Sequence, residues 1–312
     1  MKLEFIKCHG SGNDFVMIDA VAQRTDNIDL AALSVSLCNR KGPLGADGVL
    51  FTVKDGSGFG MRMYNPDGSL AEMCGNGIRC VARQARRYTN TDRFTLRSGN
   101  HNYAVAREED IAAGIPAYSV RIPVATQSPD LCVNGGEPCI AQPLAELDGE
   151  LRFTALSLGN PHIVAQCENI DLKRLEQVAQ RAAAAAHLFP RGVNVSFYRV
   201  AGPREIVTAT FERGAGLTLS CGTAMTACTT AAVLTGCCDE EQYIKVRNRG
   251  GMVVCRCSTQ PALATELKGN ASYVFGGTVY DDGDGGLKVE VSRRYDVETE
   301  AYAAFAEREK SL

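Results

Sequence analysis

The 312-residue chain has no tryptophan, only four histidines and no surplus of positive charge, with 33 Lys and Arg against 36 Asp and Glu and a formal net charge of −3. Without a basic excess it cannot neutralise a run of phosphates, so nucleic acid is not expected as a partner. No apolar run is long enough to span a bilayer, and no membrane partner is expected. The first residues, Met1 to Lys7, alternate like a strand and show neither the apolar stretch nor the small-residue cleavage site of a secretory signal. A cytoplasmic location is the expectation. His9 and His162 lie far apart with no carboxylate at ligand spacing, so both read as structural hydrogen-bonding residues and no metal is expected.

Cysteine is abundant by contrast, with 13 residues. The number is odd, the chain is large and no secretory signal precedes it, which argues against a disulfide scaffold. Cys237-Cys238 and Cys255-x-Cys257 bring four sulfurs together in sequence, but neither pair has the Cys-x-x-Cys spacing of a zinc site. On the strand-like run Met252 to Cys257, Cys255 and Cys257 face one side and read as small buried hydrophobes. A non-catalytic redox or zinc-binding protein using these four cysteines stands as the alternative of a different class.

With 45% hydrophobic and 22% charged residues the chain is long enough for two domains. Strand-like runs at 15–18, 48–53 and 60–64 bracket a helical pattern over Asp29 to Arg40 with an Asp cap. A helix follows Cys74, with arginines on one face and apolar residues on the other, and further strands are expected at 94–96, 103–106 and 118–122. After a Pro- and Gly-containing stretch from Pro123 to Pro143 the order resumes. Strands are predicted at 153–156, 163–165, 193–200 and 206–211, an amphipathic helix at 172–186, and a helix running from Cys221 to Leu234. Tyr295 to Lys310 reads as a terminal surface helix with Val297, Tyr302, Phe305 and Ala306 at helical spacing.

Two cysteines each open a Cys-Gly-small/polar run leading into an Ala-rich helical pattern, Met73-Cys74-Gly75-Asn76-Gly77 and Ser220-Cys221-Gly222-Thr223-Ala224. Each thiol is thereby placed at a helix N-terminus. Unpaired N–H groups and the positive end of the dipole gather there, where they favour a thiolate and bind a carboxylate. Two thiols flanking one α-carbon can remove its proton and return one to the opposite face without a cofactor, one as thiolate base and the other as thiol acid. Gly75, Gly77 and Gly222 let N–H groups approach closely to hold developing charge.

Lys7-Cys8-His9-Gly10-Ser11-Gly12-Asn13-Asp14-Phe15, Tyr64-Asn65-Pro66-Asp67-Gly68-Ser69, Met73 to Cys80, Gly159-Asn160-Pro161-His162 and Phe211-Glu212-Arg213-Gly214-Ala215-Gly216 occur in order, and together they resemble the diaminopimelate epimerase family. The resemblance implies an α/β (α+β) fold of two similar domains, each a mixed sheet curled around a central helix, with the active site in the cleft between them. It implies domains at 1–122 plus about 279–312 and at 123–278. It implies a cofactor-independent isomerase with an amino acid substrate, LL- or meso-diaminopimelate in lysine and peptidoglycan biosynthesis, working as a homodimer. Cys74 and Cys221 match the acid/base pair. Gly75, Asn76, Gly222 and Thr223 match positions whose backbone amides hold the reacting carboxylate, and Asn13 and the backbone near Glu212 match those that help fix the reacting amine. Asn65, Asn160, Asn194 and Arg213 match the set that reads the distal amino acid end. From the residues alone, ordinary roles stand beside these: Asn13 and Asn65 also suit turns, Asn160 and Asn194 also suit buried backbone, and Glu212 and Arg213 also suit a surface pair.

Three positions depart from the family pattern. Gly48 stands where the family usually has glutamine, Gly216-Leu217-Thr218 replaces Gly-Glu-Thr, and Ala224 replaces glycine after Cys221-Gly222-Thr223. A related racemase of another amino acid, histidine for example, is therefore the nearest competing expectation.

Overall fold

A computed structural model describes residues 1–56, 58–281, 283 and 286–309. The chain forms two compact units, one of residues 1–120 and 268–307, the other of residues 121–267 and 308–312, the last three of which lie outside the described residues.

The first unit begins with β1 (Lys2–Gly10), β2 (Asn13–Asp19), α1 (Leu30–Cys38), β3 (Gly48–Asp55), β4 (Gly58–Tyr64), β5 (Leu70–Ala71) and α2 (Gly75–Ala85). β6 (Arg93–Ser98), β7 (His101–Ala112) and β8 (Ile115–Pro123) follow. The sheet is mixed: β1 runs antiparallel to β2, β2 parallel to β3, β3 antiparallel to β4 and β4 parallel to β6. It curls around α2, which touches β1, β2, β3, β4, β6 and β7. α1 starts as its sequence dictates, with the Asp29 carboxylate accepting the Ala32 N–H at 3.0 Å. Its buried Leu33, Leu37 and Cys38 join Leu3, Phe5, Val16, Ile18 and Phe51 in a core on the other side of the sheet.

The second unit carries β9 (Gln142–Leu144), β10 (Asp148–Ser157), β11 (Pro161–Gln166), α3 (Leu172–Ala184), β12 (Asn194–Gly202), β13 (Glu205–Glu212), β14 (Gly216–Leu217), α4 (Gly222–Leu234), β15 (Ile244–Asn248) and β16 (Gly251–Ser258). Its sheet is also mixed, with β11 parallel to β12, β12 antiparallel to β13 and β13 parallel to β15. α4 is the central helix and touches β11, β12, β13, β15 and β16. Every residue from Gly222 to Ala232 is buried, so the helix has no polar face. Its threonines satisfy themselves locally: Thr226, Thr229 and Thr230 each donate to the carbonyl four residues back at 2.9 Å. α3 buries Leu175, Val178, Ala179 and Ala182, the stripe its sequence spacing predicts.

β17 (Ala264–Asn270) leads to β18 (Ser272–Asp281), β19 (Leu287–Arg294) and α5 (Asp296–Glu309). The sequence reading marked none of these strands, although β18 pairs with β1 along most of its length. In β18 the pair Gly276-Gly277 breaks the strand-like pattern. A Cβ at Gly277 would lie 2.1 Å from the Glu290 carbonyl oxygen, so the close approach of β19 demands glycine in mid-strand.

Two expectations for helix faces are corrected. Arg79 on α2 is wholly buried rather than solvent-facing, and it donates to the Gly75 and Asn270 carbonyls at 2.9 and 3.2 Å and to Ser11 Oγ at 3.1 Å. On the same helix Arg83 pairs with Glu298 of α5 at 2.5 Å and stacks 3.7 Å over the Tyr273 ring. On α5 the expected apolar stripe is partly wrong, because Val297 is 80% exposed while Tyr302 and Phe305 are buried, Tyr302 against the His9 ring at 4.3 Å. Lys310, the expected end of this helix, lies outside the described residues.

Candidate active site

Cys74 and Cys221 each occupy the N-cap position of the central helix of their unit, as the sequence predicts. Both caps have extended backbone, with φ −141° at Cys74 and −121° at Cys221, so the chain enters each helix at its thiol.

In the first unit the Gly77 N–H donates to Cys74 Sγ at 3.3 Å. Glycine gives room there, since a Cβ would stand 2.8 Å from Leu50 Cδ2 and that side chain would have to shift. The β1–β2 turn passes through positive φ at Ser11 (54°) and Gly12 (80°) and delivers Asn13 to the same place. Asn13 Oδ1 lies 4.0 Å from Cys74 Sγ and 3.4 Å from Asn76 Nδ2. Gly75 and Asn76 form the first turn, whose N–H groups have no helical carbonyl behind them. Asn65 is engaged in its own turn, where its N–H and Nδ2 donate to the Ser69 carbonyl and hydroxyl at 2.8 and 3.0 Å.

In the second unit Cys221, Gly222 and Thr223 make the corresponding first turn. Thr223 Oγ1 lies 3.5 Å from Cys221 Sγ, 3.1 Å from His162 Nε2 and 3.4 Å from Asn160 Nδ2. His162 Nε2 is also 3.1 Å from Asn160 Oδ1, so the hydrogen belongs on Nε2. Asn160 Nδ2 is directed at the Thr223 oxygen and the His162 Nε2–H lies between that oxygen and Asn160 Oδ1, so the Thr223 hydroxyl, 3.5 Å from the sulfur, can donate to a Cys221 thiolate.

Glu212 works against that donor. Burial and then the Glu212 carboxylate push the Cys221 thiol well above its ordinary value, while Thr223 and the Ala224 N–H pull it down. Burial sets the direction for Cys221, opposite in sign to the thiolate-favouring effect of a helix N-terminus. Thr218 fixes Glu212 by donating to its Oε1 at 2.6 Å. Asn194, buried, accepts the Arg213 N–H at 3.0 Å, and the exposed Arg213 donates to the Arg191 carbonyl at 2.5 Å. Thr218 carried no signal in the sequence beyond lying next to the altered Leu217, and His162 was read there only as a structural residue.

Both buried histidines are held neutral. Burial lowers His162 to about 3, helped by Arg213, and lowers His9 to about 4. Their unfolded value is near 6.5, so the stability they contribute is complete above that pH and is lost as pH falls toward 4 and 3, up to about 1.4 kcal/mol per pH unit for each. Urea midpoints measured from pH 7 to 4.5 should fall, and His162→Gln should flatten the slope.

A family model for diaminopimelate epimerase matches residues 5–114 and 154–274, ranges that contain both N-cap cysteines. The chain belongs to the diaminopimelate epimerase family. It is 34% identical over 318 aligned positions to the diaminopimelate epimerase of Clostridium acetobutylicum, covering 98% of this chain and 95% of that one. It is 37% identical over 293 positions to the diaminopimelate epimerase of Lactiplantibacillus plantarum, covering 88% of each. Among solved structures it resembles a Bacillus anthracis phenazine biosynthesis protein of the PhzF family (TM-score 0.64, 14% identity, 90% of this chain and 100% of that one). It also resembles a hydroxyproline epimerase from Agrobacterium vitis (TM-score 0.61, 13% identity, 91% and 94%). The two-domain α/β fold expected from the sequence is the fold of these structures, and this diaminopimelate epimerase family member is an isomerase.

Proposed function

We propose that the protein inverts one α-carbon of diaminopimelate, interconverting the LL and meso forms without a cofactor, with Cys74 and Cys221 as the acid/base pair. The observation that carries the reading is that the family match spans two thiols at equivalent positions, each capping the buried central helix of its own unit. One cysteine, as thiolate, takes the α-proton. The electron pair passes into the carboxylate-stabilised carbanion, and the other cysteine, as thiol, returns a proton to the opposite face. The thiols end with their protonation exchanged, ready for the reverse substrate. First-turn amides of Gly75, Asn76, Gly222 and Thr223 are suited to the substrate carboxylate, where charge builds up. Asn13 and Glu212 receive the reacting amine, and Asn65, Asn160, Asn194 and Arg213 the distal amino acid end, Arg213 offering a fork to its carboxylate. The family resemblance further supports a cytoplasmic homodimer, which sedimentation analysis and cell fractionation check.

A second reading, a racemase of another amino acid such as histidine, is favoured by one observation. At Gly48 a Cβ would stand 2.9 Å from Met63 Cε and 3.1 Å from the Tyr64 carbonyl oxygen, so Met63 fills the space where the family's glutamine side chain would begin. Incubation with each diaminopimelate stereoisomer, L-histidine and L-lysine in heavy water decides between them. Reduced enzyme should incorporate α-deuterium into LL- and meso-diaminopimelate, and the rate should be unchanged by EDTA or hydroxylamine. Exchange confined to another amino acid establishes the second reading, and no exchange at all overturns both.

A further inference from the structure

We propose that Asp47 is a positioning residue that fixes which end of the Asn13 amide faces Cys74; the inference rests on the assignment of Asn13 and Cys74 to the active site. Asp47 lies on the loop between α1 and β3, and both of its carboxylate oxygens are engaged. Oδ1 accepts from Arg40 at 2.6 Å, while Oδ2 accepts Asn13 Nδ2 at 2.9 Å and the Asp14 N–H at 3.1 Å. In return the Asp47 N–H donates to the Asp14 carbonyl at 2.9 Å. Arg40 is itself fixed by a two-pronged pair with Asp14 at 2.6 and 2.9 Å, and Lys7 bridges Asp14 and the Gly45 carbonyl. Burial alone would raise the Asp14 carboxyl, but Arg40 and Lys7 hold it at about 2, so Asp14 keeps its charge and anchors Arg40 beside Asp47.

An ionised carboxylate only accepts hydrogen bonds, so Asn13 must turn its NH2 group toward Asp47. Its carbonyl oxygen is thereby left facing Cys74 and the Asn76 amide. That orientation sets two properties. The oxygen accepts the S–H of Cys74 in its thiol form, and it presents an acceptor rather than a donor to the α-ammonium group of a substrate. A reversed amide would repel the ammonium and stabilise the thiolate prematurely.

The test is a double-mutant cycle. Asp47→Ala should lower kcat/KM about 10-fold or more when Asn13 is present and by less than about 2-fold in an Asn13→Ala background. Asp47→Asn, which keeps an acceptor oxygen, should stay within about 5-fold of the parent. Alkylation of Cys74 by iodoacetamide, followed against pH on the Cys74 peptide, reads the same contact with no substrate. Its midpoint should fall by about half a pH unit or more in Asp47→Ala and not fall further when Asn13 is already alanine. Equal effects of Asp47→Ala with and without Asn13, or none with Asn13 present, overturn the proposal. If the parent enzyme exchanges no amino acid, the functional reading fails while the alkylation series still decides this one.

Discussion

Cys74→Ala and Cys221→Ala are each expected to cut epimerisation by about 10²–10⁴-fold or more, because in the proposed mechanism each removes one of two proton-transfer groups that act only as a pair. The double variant should be little worse than either single one, the behaviour of groups that work as a unit. Cys255→Ala serves as control: that thiol is fully buried on β16, and the change should leave turnover largely intact. The two active-site variants should also differ from each other. Burial and Glu212 hold the Cys221 thiol protonated at neutral pH, so Cys221 should resist alkylation until the medium is alkaline. Glu212→Gln should bring its reaction to lower pH. The measurements are stereochemical turnover by chiral chromatography and pH-dependent alkylation by peptide mass spectrometry. Retained epimerisation in either alanine variant would falsify the two-thiol scheme.

Arg79→Met is expected to destabilise the first unit by about 2–4 kcal/mol, even though it replaces a buried charge with an apolar chain of similar length. The guanidinium joins three segments at once: the first turn of α2 through Gly75, the β1–β2 turn through Ser11, and the end of β17 through Asn270. Asn270 extends the same network, accepting the Ser11 N–H at 2.7 Å and donating to the His9 carbonyl at 3.2 Å. Loss of the fork leaves buried acceptors without donors and loosens the turn that delivers Asn13. A lower thermal midpoint should therefore accompany a fall in kcat/KM. Arg79→Lys, which keeps the charge but not the fork, should recover only part of either. An Arg79→Met protein as stable as the parent would show that the network carries no net stability.

The local chemistry was legible in the sequence because it depends on neighbours along the chain. A cysteine followed by glycine and a small polar residue before an Ala-rich run is a helix start with a thiol at its cap, and both caps lie where that pattern puts them. Asp29 and the apolar spacing of α3 were readable for the same reason. What the sequence could not show were features set by contacts between distant segments. Gly276-Gly277 resembles a turn until β19 is packed against it, and Arg79 resembles a solvent-facing arginine until Ser11 and Asn270 close over it.

The division is clearest at the two thiols. Sequence alone determined that Cys74 and Cys221 cap helices, since capping is a property of a few consecutive residues. Only the tertiary structure decided their surroundings. Full burial beside Glu212 raises the Cys221 thiol, and the proposed positioning by Asp47 turns the Asn13 oxygen toward the other sulfur. Both effects depend on loss of water and on groups brought together through space, which no pattern of adjacent residues records.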